Sequence, residues 1–458
     1  MQPRLLKLLE NIHSSYVPAM MAIAALILGA SVVYLDAQIG SEWLDGLSWY
    51  QSNKPDGAQE VLSTIAGSAI TVAGVVFSIT IVSVSYAASQ YGPRVLTNFM
   101  GDRGNQVTLG TFIATFLYCL VVLRTIRGGD EGDFVPDFAI LLALVLALCS
   151  IAVLIFFIHH VPRSIHVNTV AAGIGRQLTA SLEELFPEFI GRGGDTDAVH
   201  EATVPAPLRT EALRPPAGAA PILSPDTGYI EAIDDERLMA VALAARLVLR
   251  LQYQPGDYIH EGRSFALAWP SEQVTHKIAQ ELQRTFAVSS RRTPLQDTRF
   301  LIDELVEVGT RALSPGVNDP FTAMTCLDWL GAALSEAAGR KLPSPYRLDD
   351  DGALRVIAAP ITFAGYVERS LGQFRQYLAT DKNACVHAFL TIERVAEACR
   401  RDEQIDTLLM EIDALRTAAK EALDHAQYAV VDKAAQLREV RLRSAIQTTQ
   451  AESIFDRS

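Results

Sequence analysis

Formal charge is nearly absent from one end of this 458-residue chain. Its first 160 residues hold 7 Lys+Arg and 11 Asp+Glu, while the remainder holds 32 and 41. The chain also lacks a basic excess. Its net charge is −13, which argues against nucleic acid as a partner, because phosphate binding needs a positive footprint. The five cysteines, Cys119, Cys149, Cys326, Cys385 and Cys399, form no CxxC or CxxH spacing. They read as reduced structural thiols, two in apolar segments and three in a reducing compartment, with no metal site among them. There is no Walker loop, no GxGxxG after a strand, no GxSxG and no HExxH. Asp303, Glu304 and Glu307 lie among basic neighbours and read as a solvated helix surface. The expectation is a protein that is no enzyme and carries no cofactor.

What the first part does contain is apolar length. Four stretches approach the ~20 residues that a helix needs to cross a bilayer, at about 17–35, 61–91, 104–123 and 138–158. They define a four-span transmembrane domain over 1–160, all helical because lipid cannot satisfy open backbone groups. The first is not a signal peptide, since Tyr34, Leu35 and Asp36 stand where a small-residue cleavage site would be needed. Arg4, Lys7, Arg94, Arg103, Arg163 and Arg176 flank one side of this topology, and Lys54, Arg124 and Arg127 the other. That bias places both termini in the cytoplasm, with Trp43, Trp49 and Tyr50 as an interfacial belt in the first outer loop.

The second span has an unusual pattern. No formal charge falls between Val61 and Pro93. Thr64, Thr71, Ser78 and Ser85 recur every seven residues and so share one helical stripe, with Gly67 and Gly74 on a neighbouring line. At 31 residues the span would be ~46 Å long, more than the hydrocarbon core requires. Small residues on a membrane helix commonly serve helix packing. The same stripe could line a pore that tunes passage by dipoles rather than fixed charge. Four helices enclose no pathway alone, so a pore requires a homo-oligomer. No Asp, Glu, Lys or Arg lies within the four stretches, against a proton-coupled carrier. His159, His160 and His166 lack a nearby carboxylate or cysteine in sequence and read as interfacial rather than metal-bound.

Several motifs are distinctive. They include Ser63–Ser68, Val75–Thr80 running to Ser89-Gln90-Tyr91-Gly92-Pro93-Arg94, Gly104–Val107 with Leu109–Phe116, Gly228-Tyr229-Ile230 with Ile233-Asp234, and Ala312–Ala323. Together they resemble DUF2254, a bacterial family of predicted membrane proteins of unknown function. The resemblance implies an inner-membrane location and this domain plan, and it supplies no catalytic residues.

Beyond the spans, 161–191 reads as a juxtamembrane helix with Ile165, Val170, Ile174, Leu178, Leu182 and Leu185 on its apolar face, ended by Pro187 and the glycines at 191, 193 and 194. Six prolines in 192–226 mark a linker. A small α/β-hairpin unit over 227–270 follows, possessing a Gln254-Pro255-Gly256-Asp257 turn and a Gly-Asp-x-x-x-x-Gly segment similar to a barrel-sandwich hybrid, though with no Met-Lys acceptor for a covalent cofactor. Residues 271–458 form a helical domain. Its last helix begins at Asp402 and shows a seam of Ile405, Leu408, Ile412, Leu415 and Ala419. Ser314, Asn318 and Asp319 are read in two ways: as an anion or ligand loop at a helix N-terminus, or as a well-capped helix-to-helix corner.

The fold class expected is therefore a four-helix transmembrane domain plus an α+β, mainly helical cytoplasmic domain. The function expected is a homo-oligomeric ion channel or pore with a regulatory domain, its partners the lipid bilayer, further copies of itself, and ions or a small-molecule ligand. The alternative is a membrane-anchored interaction or sensory module without conductance.

Overall fold

The computed structural model describes residues 17–39, 54–92, 102–127, 134–185, 192–193, 204–209, 215–341 and 343–455. Arg4, Lys7 and Arg94 of the orientation argument lie outside these residues, as do Trp43, Trp49, Tyr50, Pro93, Pro187, Gly191 and Gly194. The chain divides into two compact units that meet in sequence at Thr169–Val170.

The first unit contains four helices long and apolar enough to cross a membrane: α1 (Val17–Ile39), α2 (Pro55–Tyr91), α3 (Arg103–Leu123) and α4 (Asp137–Ser164). Pro55 supplies the first-turn proline of α2, so the helix starts six residues before the charge-free run and includes Asp56 and Glu60. Asp102 caps α3, its carboxylate accepting from Asn105 N at 3.0 Å. α3 is the central helix, packing on α1, α2 and α4. Gly110 lets α1 approach closely, since a Cβ there would lie 2.5 Å from Met21 Sδ. Thr115 and Ser150 join α3 to α4 through a buried hydroxyl pair at 3.0 Å, and Tyr118 Oη donates to Ala139 O at 3.0 Å.

The second unit opens with α5 (Val167–Leu185), whose Val170, Ile174, Leu178 and Leu182 are buried as the periodicity requires. Two sheets follow. The larger has the order β1-β8-β9-β4-β6-β2, from β1 (Arg192–Gly193), β2 (Ala220–Leu223), β4 (Val248–Leu251), β6 (Ser264–Trp269), β8 (Tyr346–Leu348) and β9 (Leu354–Ile357). The smaller has the order β5-β3-β7, from β3 (Gly228–Ile233), β5 (Tyr258–Ile259) and β7 (Phe286–Ser289). Both sheets contribute to one core, with Ile222, Leu249 and Phe265 from the first and Ile230, Ile259 and Phe286 from the second.

Two expectations need correction here. The Pro-rich segment is not merely a linker. Leu208 and Ile222 within it are fully buried, and Ala220–Leu223 forms an edge strand paired with β6. An edge tolerates Pro221 because a missing N–H there costs no ladder bond. The other correction concerns Tyr258–Trp269. Its strands do not pair with each other, for β5 joins the small sheet and β6 the large one.

The remaining helices largely follow the sequence pattern. They are α6 (Asp235–Ala244), α7 (His276–Gln283), α8 (Thr298–Ala312), α9 (Pro320–Gly339), α10 (Phe363–Val367), α11 (Gln373–Leu378), α12 (Lys382–Ala398), α13 (Asp402–Ala422) and α14 (His425–Phe455). Asp234, Asp297, Asp319 and Asp381 each cap the helix that follows. All five seam residues of α13 are buried. The helix ends at Ala422, with Leu423 as its C-cap. Asp424 caps the next turn, and α14 folds back so that Arg416 meets Asp432 at 2.5 Å.

Candidate functional site

The second membrane helix decides its own packing through side-chain size. The face it buries carries Ala58, Leu62, Ala66, Ala69, Ala73, Val76 and Ala87. These alanines let α3 and α4 come close. Thr64, Thr71, Ser78 and Ser85 all fall on the opposite, exposed side. A Cβ added at Gly67 or Gly74 would meet nothing within 4 Å. The hydroxyls do not stay idle. Thr64 donates to Glu60 O at 2.8 Å and Thr71 to Gly67 O at 2.7 Å, which satisfies them along their own helix. The structure thus keeps the stripe together on the exposed side of one helix. The outward positions of α1 and α4 carry large side chains, such as Ile23, Ile27, Leu148 and Ile155, and α2 also exposes large ones beside the stripe, Val75 and Val82 among them.

At one end of α3 and α4 lies an arrangement with no signal in the local sequence. His160 Nε2 is 2.9 Å from Asp102 Oδ1 and 3.1 Å from Oδ2. The imidazole stacks on Phe156 with centroids 5.0 Å apart. Gly104 makes room, for a Cβ there would lie 2.5 Å from His160 Nε2. His159 instead bonds Ile155 O through Nδ1 at 2.9 Å. The two adjacent histidines therefore have separate environments. No group of three metal-ligating side chains occurs among the described residues.

At the corner between α8 and α9, Ser314 Oγ donates to Arg311 O at 2.6 Å. Asn318 adopts φ 50°, and its N–H donates to Ser314 O at 2.9 Å. Asp319 spends both carboxylate oxygens on Thr322, accepting from N at 3.2 Å and from Oγ1 at 2.6 Å. The three residues are brought together, and the Ser314 hydroxyl, the Asn318 N–H and the Asp319 carboxylate are engaged within the turn.

Compared with known families, the chain matches the one described as "Predicted membrane protein (DUF2254)" over residues 14–394. This protein belongs to the DUF2254 family. Uncharacterized proteins of Mycobacterium tuberculosis and of Mycobacterium bovis are each 31% identical to it over 385 residues, covering 82% of this chain and 71% of theirs. No solved structure matches it.

In the DUF2254 protein the carboxylates of α8 overturn the expectation of a solvated face. Asp303 and Glu304 are buried. Asp303 receives Arg292 Nη1 at 2.6 Å and a two-pronged contact from Arg369, at 2.5 and 2.6 Å. Arg292 also binds Asp297 at 2.6 Å, Asp297 meets Arg299 at 3.3 Å, and Arg299 reaches Asp257 at 2.9 Å. Burial works against the Arg292 charge, but Asp297 and Asp303 outweigh it and raise its pKa. Arg369 sits in a single π turn, Glu368–Gly372, that interrupts the helix between α10 and α11. This chain of charges was not legible locally because its members come from positions 257 to 369. Amphipathic spacing on α8 cannot show that the polar side of the helix is enclosed as well.

Proposed function

We propose that this membrane protein is a homo-oligomeric pore whose pathway is lined by α2 from each copy. The observation that carries the reading is the exposed Thr64–Thr71–Ser78–Ser85 stripe, flanked by Gly67 and Gly74, on a helix that packs through its other face. A lipid-facing surface is well served by the large apolar side chains that α1 and α4 present, and by Phe77 and Ile81 on the flank of α2. Small and hydroxylated residues suit close helix approach or a narrow polar path. Identical copies placed around a rotation axis would turn the same face inward and close a ring. Hydroxyl dipoles without fixed charge suit small ions or small polar solutes.

In this reading the protein sits in the bacterial inner membrane with both termini in the cytoplasm, and the second unit is a cytoplasmic regulatory body. It moves solute without making or breaking covalent bonds. The test is reconstitution of the purified protein in planar bilayers, with Thr71→Leu and Ser78→Leu as pathway variants. Currents that fall several-fold in both variants, from a protein that is oligomeric in mild detergent, support the proposal. A monomer with silent bilayers overturns it. A stoichiometric partner recovered from native membranes without conductance would favour the anchored interaction module instead.

A further inference from the structure

The second unit contains a cavity of about 630 Å³ at one end of the larger sheet. β4 and β9 are parallel neighbours, with Leu249 opposite Val356. The loops leaving their C-terminal ends, Gln252–Pro255 and Ala358–Ile361, both line the cavity. In open sheets the crevice beyond the C-terminal ends of parallel strands is the usual ligand position. The volume falls in the ~300–1,000 Å³ range of pockets for organic ligands.

One cation in this cavity differs from the carboxylate-paired arginines of the unit. Arg347 is only 7% exposed and lines the cavity from β8. Its Nη1 donates to the carbonyls of Ser344 and Tyr346, and its Nε has no hydrogen-bond partner among the described residues. It forms no ion pair among the described residues. Arg292, Arg299, Arg369 and Arg375 all face carboxylates. Arg299, the other cation on the cavity wall, is already matched by Asp257 and Asp297. A buried guanidinium without a counter-charge is costly, and burial lowers its pKa accordingly. The expense is offset if an anion completes the site.

The rest of the wall limits what that anion can be. Tyr253, Tyr366, Ile361 and Pro360 supply apolar and aromatic surface, and Asp235 supplies an acceptor for a hydroxyl or amino group. Bare phosphate would leave most of the space unfilled. We propose that this cavity binds a nucleotide-sized organic anion, its phosphate or carboxylate held by Arg347 and its body seated on the Tyr253 side of the pocket. The site is independent of the conduction reading and does not require the pore to exist.

The experiment is thermal unfolding of the full-length detergent-solubilised protein with AMP, GMP, citrate or inorganic phosphate at matched ionic strength. A nucleotide or citrate is expected to raise the unfolding temperature of the wild type in a saturable manner. The nucleotide arm and the citrate arm distinguish phosphate from carboxylate as the anchoring group. Arg347→Met is expected to weaken that binding at least ~30-fold, while the unliganded variant is as stable as wild type or more so, because an uncompensated buried charge has gone. Arg347→Lys keeps the charge without the planar fork and is expected to bind at an intermediate affinity. No shift from any of the organic anions overturns the proposal, as does an equal shift in Arg347→Met and Arg347→Lys. A shift from inorganic phosphate as large as from the organic anions overturns the nucleotide-sized ligand.

Discussion

The imidazole of His160 and the carboxylate of Asp102 meet at 2.9 Å across 58 residues of chain, at the place where Gly104 leaves no room for a side chain. Asp102 therefore does two things at once: it caps α3 through Asn105 and it ties α3 to α4. Gly104→Ala should push the ring off the carboxylate and cost about 1–3 kcal/mol, as overpacked sites do. Gly67→Ala, with open space around it, should leave the stability of an isolated subunit nearly unchanged. Thermal unfolding of the two variants in the same detergent checks the contrast.

The turn at Gly256 is a second place where a missing side chain is essential. Its φ is +90°, and a Cβ would overlap the carboxylate of Asp297. That carboxylate caps α8 and holds both Arg292 and Arg299. Gly256→Ala combines left-handed strain with displacement of a shared anion, so a loss of about 2 kcal/mol or more is expected. Chemical denaturation reads the effect, and Gly352→Ala, at φ +79° with nothing near it, isolates the backbone part.

Removing the side chain of Ile222 distinguishes a folded edge strand from a linker. Ile222 is fully buried in the core that both sheets share. Ile222→Ala should cost about 2–5 kcal/mol, whereas a solvated linker position would show almost none. Leu208→Ala, buried against Val248 and Leu267 in a neighbouring cluster, should behave the same way. Denaturant midpoints give the answer.

The buried thiols predict an alkaline limb. Burial pushes Cys326 and Cys385 up to about 12 and Cys399 up to about 11, from an ordinary value near 9. The folded state holds these protons more tightly than the unfolded chain. Their contribution to stability is therefore fully present below about pH 9 and is lost as pH rises toward 11–12. Unfolding temperatures measured across pH 8–11 should decline, and Cys326→Ala should flatten part of the decline. At pH 8 maleimide should leave Cys326 and Cys385 unmodified until denaturant is added.

Alanine and hydroxyl positions on α2 could be told apart from sequence spacing alone, but not which set would face the bundle. Both repeat with helical periods, and both are small enough to pack. The decision belongs to α3 and α4, whose shapes accept the alanine side. The corner at Ser314–Asp319 was more legible, because Asp, Pro and the αL residue Asn318 act within one turn of each other. Capping and turn chemistry are local, and so the same holds for the Gly256 turn.

The amino-acid order alone determined the four apolar helices, the capped corner at Ser314–Asp319, the buried seam of α13 and the membership of the family. Each of these depends on residues within a few turns of one another, where hydropathy and backbone geometry act directly. Only the tertiary structure decided that β5 and β6 go to different sheets, that β4 lies parallel to β9, that a proline-rich segment supplies an edge strand, and that Arg347 is buried without a counter-charge among the described residues. Those features are choices among distant partners of similar chemistry, and shape complementarity across the folded core, not spacing along the chain, makes the selection.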